Sequence, residues 1–332
     1  MNLKKFVIIL VIFFILLVAG LFTVQKKVET YLSVPRVQET QLFTVNAGSN
    51  YSRLGARFLK HSLLDNLRWW KLVGKRYPEL THIKSGTYQF EKGSSLKDIL
   101  TVLNDGIEYQ FKVTLVEGST FKDWLATLKE AQLLSPLDKN ETQILQLLDS
   151  SQQKLEGLLH PETYHYYAKM DAFKVIEKAY LKQQQILARL WKDRDENLPL
   201  KTPYEALILA SIIEKESSIA ADRDKISSVF INRLRKKMRL QTDPTVIYGM
   251  GDNYKGRIRS RDLRQKTPYN TYRIKGLPPT PICMPSEAAL YATLHPAKTN
   301  YLYFVSKGDG SSYFSKNLLE HNRAVKKYIL GK

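Results

Sequence analysis

Cysteine is almost missing from this chain: Cys283, the one thiol, cannot close an internal disulfide, and beside six histidines it leaves too few ligand types for a structural zinc site. Acidic residues are also in short supply, 32 Asp and Glu against 51 Lys and Arg, for a formal charge of +19. An excess of that sign favours anionic partners, whether nucleic acid, phospholipid head groups or an acidic polymer. Several catalytic signatures are absent as well: there is no Gly-x-Ser-x-Gly elbow, no phosphate loop and no His-Glu-x-x-His. The string from His160 to His165 holds metal-capable residues, but Pro161 opposes helical spacing and no third ligand stands nearby. Neither a metal nor another cofactor is expected.

What is present begins with a long apolar run. From Phe6 to Val24 the sequence carries no charge and, as a helix, spans about 28 Å, close to the thickness of a bilayer's hydrocarbon core. It is longer than the apolar part of a secretory leader, and no small-x-small cleavage site follows Leu21. The expectation is an uncleaved single-pass anchor with residues 1–5 in the cytoplasm, because a short leading tail is easier to leave behind than to export. Residues 25–40 then read as a linker, and the remainder lies outside the cytoplasm, in the periplasmic space, where nucleic acid is scarce. The positive charge is thereby assigned to the membrane surface or a cell-wall polymer, with no nucleic-acid partner.

Three segments align on a Gly-Ser pair: VNAGSNYSRLGARFL from Val45, FEKGSSLKDILTVL from Phe90 and LVEGSTFKDWLATL from Leu115. Each passes from a short apolar run through a turn glycine to a capping residue, Asn50, Ser95 or Thr120, and then to apolar residues at helical spacing. The unit is strand, turn, helix. Such units resemble the LysM type of glycan-binding module over residues 41–107, with a connecting α+β subdomain over 108–154; a packing domain that positions the rest of the chain is the other reading. Trp69 and Trp70 offer either a stacking platform or core packing.

After a polar stretch from Pro136 to Lys154, the region 155–332 carries the chemistry. Asp171 caps a long amphipathic scaffold helix, and Thr202, Pro203 and Glu205 start another whose ALILASII run is apolar on almost every face. A helix of that kind is buried, yet it ends in EKESS. Helical spacing stacks Glu216 over Ile212 and Ile213, whereas Glu214 lies over Ala210 and Ser211. Burial and the negative end of the helix dipole both push the Glu216 pKa upward, as a general acid requires. Simple pairing of both glutamates with Lys215, Arg223 and Lys225 is the competing reading. Downstream, Asp222 or Asp224 starts a further helix, and Asp243 before Pro244 reads first as a helix cap. The proline-rich stretch from Thr267 to Ala289 presents Tyr269, Asn270 and Tyr272 as stacking faces and an amide for N-acetylated sugars. A hairpin turning at Gly308 to Gly310 and a helix from Leu318 to Ile329 finish the chain.

These residues resemble the endolytic murein transglycosylase family (MltG, YceG-like). The matching strings are GTYQF from Gly86, VEGSTF from Val116, EGLLHPETY from Glu156, ASIIEKES from Ala210, SVFINRLRKKMRLQTDPTVIYGM from Ser228, PYNTYRIKGLPP from Pro268 and HPAKTNYLYFV from His295. The resemblance implies an α+β fold: a transmembrane helix, a LysM-like membrane-proximal part, and a mixed α+β catalytic domain whose buried helix carries the catalytic glutamate. It also implies lytic cleavage of nascent peptidoglycan between N-acetylmuramic acid and N-acetylglucosamine, giving 1,6-anhydro ends. The catalytic glutamate falls on Glu216, with Ser217 completing a Glu-Ser pair, and Gln241, Asp243, Tyr248, Tyr269, Asn270 and Tyr272 are assigned to the sugar groove. Implied partners are glycan strands, the plasma membrane and the peptidoglycan synthases (penicillin-binding proteins). The rivals are a hydrolytic muramidase, a non-catalytic scaffold for glycan or synthase, and a DNA-binding membrane protein.

Overall fold

The structure is a computed structural model that describes residues 3–216 and 219–331. It is a mixed α+β chain with two compact units, the first ending at Phe111 and the second starting at Lys112.

The first unit opens with helix α1 (Leu3–Ser33), the one helix among the described residues that is long and apolar enough to cross a membrane. It does not stop where the apolar run ends. The expected linker 25–40 is helical as far as Ser33, because Val28 and Leu32 are four apart and bury their side chains in the unit's core. Strand β1 (Gln41–Val45), helices α2 (Tyr51–Lys60) and α3 (Leu67–Arg76), and strand β2 (Gly86–Phe90) come next, and β1 pairs antiparallel with β2 with Phe43 opposite Tyr88. Helix α4 (Leu96–Asp105) closes the unit. Asn50 caps α2, and Ser95 forms a reciprocal capping box with Asp98 at the start of α4. Trp70 belongs to the core: it is buried, its ring lies 3.9 Å from that of Tyr51, and its indole N–H donates to the Tyr51 carbonyl at 3.0 Å. Trp69 stacks on Tyr31 of α1 at 5.9 Å.

The boundary falls after the first residue of strand β3 (Phe111–Leu115), which with helix α5 (Phe121–Glu130), capped by Thr120 with Asp123, forms the third copy of the strand-turn-helix pattern. Its partner is not an earlier copy: β3 pairs with β4 (Glu162–Tyr166). The expected connecting subdomain over 108–154 straddles the boundary after Phe111, with most of it in the second compact unit. The polar stretch between these strands also contains a helix, α6 (Glu141–Leu147), nucleated by an Asn140–Gln143 capping box.

Helix α7 (Ala172–Lys192), with Asp171 accepting from the Phe173 N–H, packs on α8 (Pro203–Glu216). Every residue of α8 from Ala206 to Ile213 is buried, as an all-round apolar helix demands. Also against α8 lie α9 (Arg223–Arg235), α10 (Asp243–Met250) and, after the short α11 (Ser260–Arg264), α12 (Glu287–Leu294). The chain ends in the hairpin β5 (Tyr303–Ser306) and β6 (Ser312–Ser315), with Tyr303 opposite Ser315, and in α13 (Leu318–Tyr328).

One close approach makes the first unit's core testable. Gly55 on α2 faces the indole of Trp70, where an added Cβ would stand 2.4 Å from the ring nitrogen. The ring is held by Tyr51 and cannot swing away, so Gly55→Ala is expected to destabilise the unit by about 1–3 kcal/mol. Urea unfolding of the detergent-solubilised chain, followed by tryptophan fluorescence, checks this.

Candidate active site

Glu216 is the last residue of α8, and the buried run before it leaves no choice about where its carboxyl emerges. It opens into a cavity of about 500 Å³ walled by the Leu240–Pro244 segment, Arg233 of α9, Tyr272, Tyr303 and Phe304 of the hairpin, and Leu318, His321 and Asn322 of α13. The other glutamate is used up structurally. The Glu214 Oε2 accepts from both the backbone N–H and the hydroxyl of Ser286, the residue capping α12, and so ties α8 to that helix. Among the described residues neither glutamate forms an ion pair, so pairing with Lys215, Arg223 or Lys225 does not account for them.

Glu216 is half-buried, and the Thr242 hydroxyl donates to its Oε1. Loss of water around the carboxyl is the main force lifting its pKa above the ordinary carboxylate range, and the neighbouring Asp243 charge lifts it further. The Thr242 hydrogen bond and the Arg233 charge act the other way, stabilising the ionised form. Thr242 is itself buried: its N–H donates to the Thr271 hydroxyl at 3.0 Å, and Thr245 donates to its carbonyl at 2.7 Å.

Asp243 does not use its side chain as a helix cap. Its Oδ1 accepts from the Tyr272 hydroxyl at 2.7 Å, which fixes both groups on the cavity wall. Gln241 lines the same cavity with a left-handed backbone (φ 52°), a conformation costly for a side chain of its kind and held here by its N–H to the Thr271 carbonyl at 3.3 Å. Three of the expected groove residues, Gln241, Asp243 and Tyr272, thus gather around Glu216.

The others do not. Tyr248 donates to Glu156 Oε2 at 3.2 Å, its ring meets that of Tyr269 at 4.9 Å, and the Tyr269 hydroxyl pairs with Thr280 at 2.8 Å; neither ring lines the Glu216 cavity. Asn270 is buried, with its amide nitrogen on three backbone carbonyls and its oxygen accepting from the Tyr272 N–H, so nothing is left for a sugar. A hydrogen-bonding side chain beside two tyrosines looks alike in sequence whether it faces a ligand or holds a loop. Ser217 lies outside the described residues.

Residues not anticipated complete the site. Arg233 is buried, donates from Nε to the Leu302 carbonyl at 2.7 Å and from Nη1 to that of Leu240 at 2.8 Å, and lies 4.9 Å from the Tyr303 ring. Its position one turn from Val229 and Phe230 on an apolar helix face was the available signal. His321 stacks on Tyr303 at 5.1 Å, and its Nδ1 is buried without a partner among the described residues. Burial holds its pKa below the usual imidazole value, helped by the charge of Arg233. A half-buried carboxyl with a raised pKa in a polar cavity is the equipment of a general-acid enzyme.

The chain belongs to the YceG-like family, whose sequence model matches residues 43–327. It is 35% identical over 320 residues to the endolytic murein transglycosylase of Bacillus subtilis, covering 89% of this chain and 88% of that one. It is 27% identical to the endolytic murein transglycosylase of Streptococcus pneumoniae over all of its own length and 66% of that protein's. The crystal structure of a yceG-like protein from Listeria monocytogenes aligns with a TM-score of 0.56 at 30% identity, over 86% of this chain and 98% of the other.

A second buried acid lies elsewhere in this unit. Glu156 accepts from the Phe121 N–H at 3.1 Å and from Tyr248, and burial pushes its pKa up to about 7. The folded state therefore holds a proton that the unfolded chain loses near pH 4.5. The stability this confers is complete below that value and is lost as pH rises toward about 7, a change on the order of 3 kcal/mol. Glu156→Gln removes the titration and is expected to flatten stability between these limits, which urea midpoints measured across the range would reveal.

Proposed function

We propose that this chain is a membrane-anchored endolytic lytic transglycosylase that cuts peptidoglycan between N-acetylmuramic acid and N-acetylglucosamine within nascent strands. One observation carries the reading: Glu216, a carboxyl whose pKa burial raises, opens into a cavity large enough for sugar rings. The endolytic murein transglycosylases to which the chain is similar support the same chemistry.

In the proposed reaction Glu216 is protonated at rest and gives its proton to the glycosidic oxygen as the bond to C1 breaks. The carboxylate then takes the proton of the muramyl 6-hydroxyl, whose oxygen attacks C1 and closes the 1,6-anhydro ring. No water enters, so one group serves as acid and then as base. The Thr242 hydroxyl is aimed at the ionised form and stabilises Glu216 midway, while the Asp243 charge favours the protonated start and faces positive charge developing at C1. Gln241 and Tyr272 contact the sugars, and Ser217 retains its proposed role beside Glu216. A second carboxylate in the cavity, Asp243, is what a water-activating muramidase would use, and the product ends separate the two chemistries.

The remaining assignments rest on the same reading. The order β1-α2-α3-β2 supports a LysM-like module over residues 41–107, and residues 155–332 are the proposed catalytic domain. The helix α1 supports a single-pass anchor with the rest outside the cytoplasm and glycan strands, with the synthases that make them, as partners.

Glu216→Gln is expected to lower anhydro-muropeptide release from purified glycan by at least about 100-fold while the circular dichroism spectrum stays unchanged. Undiminished anhydro product would overturn the assignment, and reducing ends instead of anhydro ends would favour the hydrolase. Thr242→Val removes the hydrogen bond that lowers the Glu216 pKa, so the alkaline limb of the pH–rate profile should move to higher pH.

A further inference from the structure

Past α10 the chain carries a concentration of charge that the Glu216 site does not use. Between Lys255 and Lys266 stand six lysines and arginines and one acid, Asp262. Lys255, Arg257, Arg259 and Arg261 do not spread over a convex surface but surround a cavity of about 620 Å³. Asp262 compensates only part of this, accepting from the Arg259 N–H at 2.8 Å and lying 3.6 Å from Arg261 Nε. Among the described residues the guanidinium groups of Arg257 and Arg259 have no hydrogen bond, ion pair or ring contact at all.

Cations crowded round an empty space repel one another, and a chain gains nothing from holding them there unless an anion relieves the repulsion. The segment is also held in shape. The amide nitrogen of buried Asn270 lies 3.2, 3.1 and 2.6 Å from the carbonyls of Asp262, Leu263 and Gln265, so the far side of the cavity is fixed before any ligand arrives. Arginine forks suit the paired oxygens of a phosphate better than point charges do, and a concave site suits a compact group better than a flat surface.

We propose that the 251–266 segment is a phosphate cradle that takes a diphosphate or phosphodiester group, with Arg257 and Arg259 as its principal ligands. The proposal is independent of the Glu216 chemistry. Inorganic pyrophosphate, titrated into the full chain in neutral detergent and followed by calorimetry, is the probe. Saturable binding is expected, weakening by at least about tenfold in the double variant Arg257→Ala/Arg259→Ala and recovering in part with lysine at both positions. Competition by glycerol 3-phosphate and by short-chain phosphatidylglycerol then separates the sources: equal competition assigns the site to the phosphate itself, and competition by the lipid alone assigns it to a lipid-borne phosphate. Absence of pyrophosphate binding, or binding indifferent to the double variant, overturns the proposal. Release of anhydro product from phosphate-free soluble glycan is expected to stay the same in the double variant, so this failure is distinguishable from failure of the transglycosylase reading.

Discussion

The removal of water from one carboxyl group is the constraint on which the second unit is organised. Burial raises the Glu216 pKa, and that burial depends on the packing of α8, which α7, α9, α10 and α12 each cover in part. Glu214, two residues earlier, shows the alternative fate of an acid on the same helix. By accepting two hydrogen bonds at the cap of α12 it becomes a strut between the two helices.

Helix α10 links this site to the other buried acid. Its start carries Thr242 and Asp243 to Glu216, and its body carries Tyr248 to Glu156. Two carboxyl groups with raised pKa values therefore share one short helix. They differ in surroundings: Glu216 lies on the wall of a polar cavity of about 500 Å³, whereas Glu156, held by the Phe121 N–H and the Tyr248 hydroxyl, borders a smaller one of about 300 Å³.

Much of this is legible in the sequence, and the remainder is hidden for physical reasons. The apolar run of α8, its acidic end, the capping residues Asn50, Ser95, Thr120 and Asp171, and the terminal hairpin all come from local chemistry, and each forms as its sequence directs. Local chemistry cannot say which strand meets which, so the third strand-turn-helix copy pairs with β4 and not with its look-alikes. Nor can it separate an amide that faces a ligand from one that clamps a loop, which is why Asn270 resembles a sugar contact until its partners are seen. Arg233, Thr242 and His321 reach the cavity from three separate elements, and only the tertiary fold brings them together.

The continuity of α1 carries a mechanical consequence. At about 1.5 Å per residue its 31 residues extend about 46 Å, against about 30 Å of hydrocarbon, so such a helix set across a bilayer would leave roughly a third of its length clear of the lipid. Val28 and Leu32, in that protruding stretch, are sewn into the first unit's core. A helix that runs unbroken from the apolar stretch into that core is a stiff stalk: set across a bilayer it would fix the standoff of the first unit, and a tilt of the helix would turn that unit with it like a mast turning its crosstree.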